Sequence, residues 1–134
     1  MFSTLDKSIG NLIGWRVSGR MTDDDYVLIV SQLESLMRRY RRVRVLFELH
    51  DFSGWDDGTA WDEFVFTREH RRQIERIAIV GEKAWQKWMF RLGGPFVQSD
   101  LQYFDDSQID QAWQWLHEDN KAMPSAAAAK EQKT

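Results

Sequence analysis

A chain of 134 residues, 43% apolar and 29% charged, has the size and make-up of one globular domain with one core. Its net charge of −3 gives no bulk attraction to nucleic acid or to an anionic membrane. Its lack of cysteine excludes disulfides, thiol catalysis and cysteine-bound zinc, and suits a reducing cytoplasm. The stretch from Met1 to Lys7 lacks the basic-then-apolar layout of a signal peptide, and no apolar run is long enough to span a bilayer. A cytoplasmic location is therefore expected. Seven tryptophans are a heavy load for this length. Most fall on periodic apolar positions, which reads as core filling; the sharper reading is an aromatic-lined pocket or interface.

Residues 1–20 predict a hairpin. Leu5 precedes the turn-like Asp6-Lys7-Ser8-Ile9-Gly10-Asn11, and Ile13, Trp15 and Val17 then alternate with Gly14, Arg16 and Ser18. Thr22 or Asp23 caps a first helix whose opening acids suit the helix dipole. Tyr26, Ile29, Val30, Leu33, Leu36, Met37 and Tyr40 give it one apolar stripe. A strand follows at 43–50, with Val43, Val45, Phe47 and Leu49 on one face and Leu46, Glu48 and His50 on the other. Its apolar run ends in polar residues and Gly54, which reads as an elbow before a second helix at 59–70.

The run Arg76-Ile77-Ala78-Ile79-Val80-Gly81 does not alternate and predicts a central strand covered on both faces. A third helix runs from Glu82 to Leu92 and stops at Gly93-Gly94-Pro95. A last strand spans Val97 to Phe104. Asp105 or Ser107 then caps a final helix that turns Ile109, Ala112, Trp113 and Leu116 inward. From about Ala122 the core pattern is lost. The order ββαβαβαβα predicts an α/β domain: a five-stranded mixed, mostly parallel sheet with helices on both faces.

That order is carried together with Gly19-Arg20-Met21-Thr22-Asp23-Asp24-Asp25-Tyr26, Phe52-Ser53-Gly54-Trp55, Glu75-Arg76-Ile77-Ala78-Ile79-Val80-Gly81, Tyr103-Phe104-Asp105 and Ala112-Trp113-Gln114-Trp115-Leu116. In these features the chain resembles the SpoIIAA-like bacterial proteins. They belong to the STAS fold group, which is also comparable to the lipid-binding CRAL-TRIO domains. The resemblance covers roughly residues 1–118 and implies a STAS-like domain there, with 119–134 as a flexible tail. Classical anti-sigma-factor antagonists of the group carry a phosphorylatable serine in an Asp-Ser-Ser-Gly-type turn opening the second helix. The corresponding stretch here is Trp55-Asp56-Asp57-Gly58-Thr59-Ala60, without serine. No phosphorylation is therefore expected at Ser53 or Thr59.

The chemistry-bearing residues are sparse. There is no Gly-x-Gly-x-x-Gly, no P-loop and no Gly-x-Ser-x-Gly elbow. Asp56 and Asp57 would repel a phosphate at the second helix. His50, His70 and His117 lack metal-ligand spacing. Glu48 and His50 share a strand face, as an acid–base pair or, more plainly, as a polar strand end satisfied by Arg16 or Arg76. Arg38, Arg39, Arg41, Arg42 and Arg44 read as a solvated helix end rather than a site for an acidic partner. No catalytic residue, metal or cofactor is expected.

The expected function is non-catalytic binding or regulation through a protein partner or a homodimer. The alternative is a lipid or other apolar or amphipathic small molecule held at the carboxyl end of the sheet, as the CRAL-TRIO comparison implies. Candidate ligand residues are Glu48, His50, Phe52, Trp55, Trp61 and Trp85. Trp88 and Phe90 are candidates for an interface or lid, because Phe90 falls off the apolar face of its helix, beside Lys83 and Lys87. Nucleic-acid binding and stable membrane insertion are not expected.

Overall fold

A computed structural model gives the structure of residues 2–55, 72–81 and 100–121. The helices expected at 59–70 and 82–92, and the chain from 122 onward, lie outside these residues. The described elements are β1 (Phe2–Thr4), β2 (Leu12–Met21), α1 (Asp23–Arg39), β3 (Val43–Trp55), β4 (Ile74–Val80), β5 (Asp100–Phe104) and α2 (Ile109–His117). The strands form one sheet in the order β1-β2-β3-β4-β5. β1 runs antiparallel to β2, and the pairs from β2 to β5 are parallel. The expected single α/β domain with a five-stranded mixed sheet is what the chain forms.

The two faces of the sheet carry separate cores. On one, Trp15, Val17, Val43, Val45, Phe47, Ile77 and Ile79 pack beneath Tyr26, Ile29, Leu33 and Met37 of α1. On the other, Leu12, Leu46, Ala78, Val80 and Phe104 pack beneath Ala112, Trp113 and Leu116 of α2. Full burial of each large side chain contributes about 1.5–3 kcal/mol before chain entropy is counted. The Trp15 indole N–H donates to Gln32 of α1 at 2.8 Å, so this bulky residue is buried without an orphaned donor.

Local signals place the ends of α1. Thr22 is the N-cap and exchanges two hydrogen bonds with Asp25: the Asp25 N–H donates to the Thr22 hydroxyl, and the Thr22 N–H donates to the Asp25 carboxylate. Tyr40 returns to extended backbone and leads into β3.

Two expectations are corrected. β3 continues to Trp55 instead of ending near residue 50. The polar stretch after His50 is an irregular strand that stays paired with Gly19, Arg20 and Met21. Arg44, grouped in sequence with a solvated arginine cluster, is only 3% exposed. It is an even-numbered position of β3, so it shares the α2 face with Leu46 and is covered there. In addition, hydrogen-bonded structure continues past residue 118: Asn11 and Asn120 exchange side-chain amide hydrogen bonds of 3.0 and 2.8 Å. A pair of amides needs no apolar pattern, so hydropathy gives no sign of it.

Candidate functional site

Glu48 and His50, singled out from sequence, lie in β3 at the carboxyl end of the neighbouring β4, where Glu48 is in register with Val80. In open α/β sheets this is the end where ligands bind. Arg16 on β2 stands in register with Glu48 on β3. Its Nε and Nη2 reach the same carboxylate oxygen, Oε1, at 3.1 and 3.0 Å. Glu48 is only 13% exposed. Its other oxygen, Oε2, is buried and has no hydrogen-bond partner among the described residues. Arg16 is thus the partner of Glu48, one of the two arginines expected. Arg76 lies elsewhere: it donates to the Trp115 carbonyl at 2.6 Å and stacks over the Trp115 ring.

His50 is exposed, and its Nε2 lies 3.5 Å from the carboxylate of Asp51. Glu48 and His50 therefore each engage a different group. Beyond His50 the register slips twice. Ser18 pairs with His50, Gly19 with Phe52 and Arg20 with Gly54, which leaves Asp51 and Ser53 as inserted residues. The backbone records the slips: Asp51 has φ 48°, Gly19 has φ 63° and Gly54 has φ 136°. An inserted residue reverses the alternation of faces. Phe52 accordingly packs against the α1-side core, away from the face of Leu46 and Glu48. Ser53 is exposed on the strand, not at a helix opening.

Of the candidate ligand residues, the structure places Glu48 and His50 on one strand end, and Phe52 on the other core. Trp55 closes β3 in register with Met21. Trp61, Trp85, Trp88 and Phe90 lie outside the described residues. Next to this end, the Tyr103 hydroxyl donates to the Gly81 carbonyl and lies 3.4 Å from the Asp105 carboxylate, tying β5 to the end of β4.

Two further features had little voice in the sequence. At the opposite end of the sheet, the Arg44 guanidinium donates to the carbonyls of Leu116, Glu118 and Asp119 and lies 3.3 Å from Glu75. The only hint was its parity in β3. The second is the outward face of α1. Val27 and Leu28 are 50% and 54% exposed, in a helix whose apolar stripe is already filled by other residues. Along the same outward side lie Ser31, Ser35, Arg38 and Arg39, all exposed.

Among the described residues, no cluster of His, Asp or Glu has the grouping to hold a metal ion. No described helix is long and apolar enough to cross a membrane. Together the mixed sheet and its two cores define an α/β domain with one helix-covered core on each face. The SpoIIAA-like family matches residues 12–117, and the chain belongs to that family. The chain is similar in fold to the crystal structure of an uncharacterized protein from the DUF3478 family with a SpoIIAA-like fold, from Shewanella loihica PV-4. The two are 22% identical and superpose with a TM-score of 0.63 over 86% of this chain and 93% of the other. No curated protein matches the chain.

Proposed function

We propose that this SpoIIAA-like domain is a non-catalytic regulatory module that acts by protein–protein contact, and that the outward face of α1 is its contact surface. The observation that carries this reading is the exposure of Val27 and Leu28 side by side on a helix that needs neither for its core. The separation of Glu48 from His50 supports binding over chemistry, since each is engaged by a different neighbour. The test is affinity purification from native cells with wild type and Leu28→Asp, both checked for folding by circular dichroism. A stoichiometric partner held by wild type and lost by Leu28→Asp supports the reading. Identical retention by both overturns it.

A second reading has one observation in its favour. The buried, unpartnered Oε2 of Glu48 is an acceptor that a hydroxyl or amine of an amphipathic molecule would satisfy at the carboxyl end of the sheet. Native mass spectrometry after gentle purification tests it. A bound lipid-sized mass that is lost in Glu48→Leu supports this reading, and a bare protein mass counts against it.

A further inference from the structure

The outward face of α1 is complementary to itself. From its amino end it presents Asp23 and Asp24, then Val27 and Leu28, then Ser31 and Ser35, then Arg38 and Arg39, all exposed. We propose that two copies of this chain pair through this face, with the helices antiparallel and the two-fold axis beside Ser31. This rests on the protein-contact reading and names the partner as a second copy.

Asp24 and Arg38 are equidistant from Ser31 along the helix, as are Asp23 and Arg39. An antiparallel pair centred on Ser31 therefore sets Asp24 of each copy opposite Arg38 of the other, while Asp23 and Arg39 stand on the two flanks of the seam. A two-fold contact repeats every interaction, so this pairing gives two charge pairs. The same arrangement sets Val27 opposite Ser35. Ser31 and Ser35 are small, so the helices can approach closely and Val27 and Leu28 can seat in the space. The arginine stems add apolar cover around them.

A parallel pairing would put acid against acid and arginine against arginine. Acids at the start of a helix and bases at its end also suit the helix dipole. The dipole gives no reason, however, for Asp24 and Arg38 to share one outward side with an exposed apolar pair and two serines. Arg41 and Arg42 lie just past the helix and are exposed, which adds positive potential where the partner's acids would arrive.

The test is sedimentation velocity across a concentration series. Four samples are needed: wild type, the double variant Asp23→Arg/Asp24→Arg, the double variant Arg38→Asp/Arg39→Asp, and an equimolar mixture of the two variants. Wild type is expected to form a concentration-dependent dimer that weakens as sodium chloride rises from about 50 to about 500 mM. Each double variant sets like charges together and should dimerise at least about tenfold more weakly. The mixture restores opposite charges at every contact and should recover a heterodimer.

A wild type that stays monomeric overturns the pairing. So do folded variants that dimerise like wild type, or a mixture of folded variants that does not recover. Should circular dichroism show that a double variant is unfolded, Ser31→Arg at the exposed axis position takes its place. Loss of the dimer supports the proposal, and an unchanged dimer overturns it. Partner capture with Leu28→Asp separates the two levels. A monomeric wild type that still loses a foreign partner in Leu28→Asp ends the self-pairing but leaves the protein-contact reading standing. A monomeric wild type whose partners are indifferent to Leu28→Asp ends both.

Discussion

Arg44 Nη1 and the carbonyl oxygen of Leu116 lie 2.9 Å apart, so a cation near the start of β3 closes the last turn of α2. The last carbonyls of a helix have no partner within the helix, and here the guanidinium supplies several donors at once. Arg44→Met would leave the buried Leu116 oxygen without this donor, open the half-buried contacts to the Glu118 and Asp119 carbonyls, and take the guanidinium from Glu75. A loss of about 2–4 kcal/mol is expected. Arg44→Lys should fall between, because an ammonium cannot span the same set of carbonyls. An unchanged urea midpoint for Arg44→Met would show that the clasp is dispensable.

Gly14 is required by a ring. A Cβ at this position would stand 2.7 Å from Cη2 of Trp113 and 3.2 Å from Cδ1 of Leu5. Trp113 is buried in the α2-side core and cannot swing away cheaply. Gly14→Ala should therefore destabilise by about 1–3 kcal/mol through overpacking. Gly19→Ala is the control, since no atom lies within 4 Å there and only the left-handed backbone resists the change. It should lose about 1 kcal/mol. Equal losses at the two sites would refute the steric account.

Gly54 has φ 136°, a region that side-chain-bearing residues avoid. It holds the second slip of β3 against β2. Gly54→Val is expected to destabilise by about 1–3 kcal/mol. Asp51, at φ 48°, lies where aspartate and asparagine are tolerated, so Asp51→Asn should be close to neutral and Asp51→Val clearly worse. Thermal melts of the three variants rank these effects, and a neutral Gly54→Val would remove the argument.

The Thr22–Asp25 box makes a pH prediction. Burial is the largest single effect and acts to raise the Asp25 pKa, but the favourable interactions of the carboxylate, led by the hydrogen bond from the Thr22 backbone, together outweigh it and the net shift is downward. A carboxyl lowered on folding stabilises the native state above its unfolded value, and that stability drains away as pH falls through the folded value. Asp25→Asn should be less stable than wild type at neutral pH, and the gap should close in strong acid. Thr22→Ala removes the cap and should lose about 1 kcal/mol at neutral pH. A gap that stays constant down to strong acid would separate Asp25 from the effect.

Most of the sheet was legible because burial imposes a period. The odd positions of β3 face α1, while Leu46 faces α2, as alternation demands. The capping box and apolar stripe of α1 are equally local. What escaped sequence reading depended on partners distant in the chain. Asp51-Phe52-Ser53-Gly54 reads as a turn, since only pairing with β2 keeps it extended. One inserted residue then carries Phe52 to the other face, a change that simple alternation cannot foresee. Arg44 reads as surface because its carbonyl partners lie more than seventy positions away in the chain. At the candidate site, the Arg16–Glu48 pair was within reach, since both residues follow from strand parity. The orphaned oxygen of Glu48 was not, because it depends on depth in the fold.

The left-to-right order of the strands in the sheet is their order in the chain. A ribosome therefore delivers them so that each can add to a growing edge, with no strand having to insert between two already paired. Arg44 sets the other limit. Its carbonyl partners leave the exit tunnel only after all five strands, so the nascent sheet carries an unclasped cation until the final helix emerges. Vectorial assembly can begin early, but the α2-side core and its electrostatic closure arrive together and late.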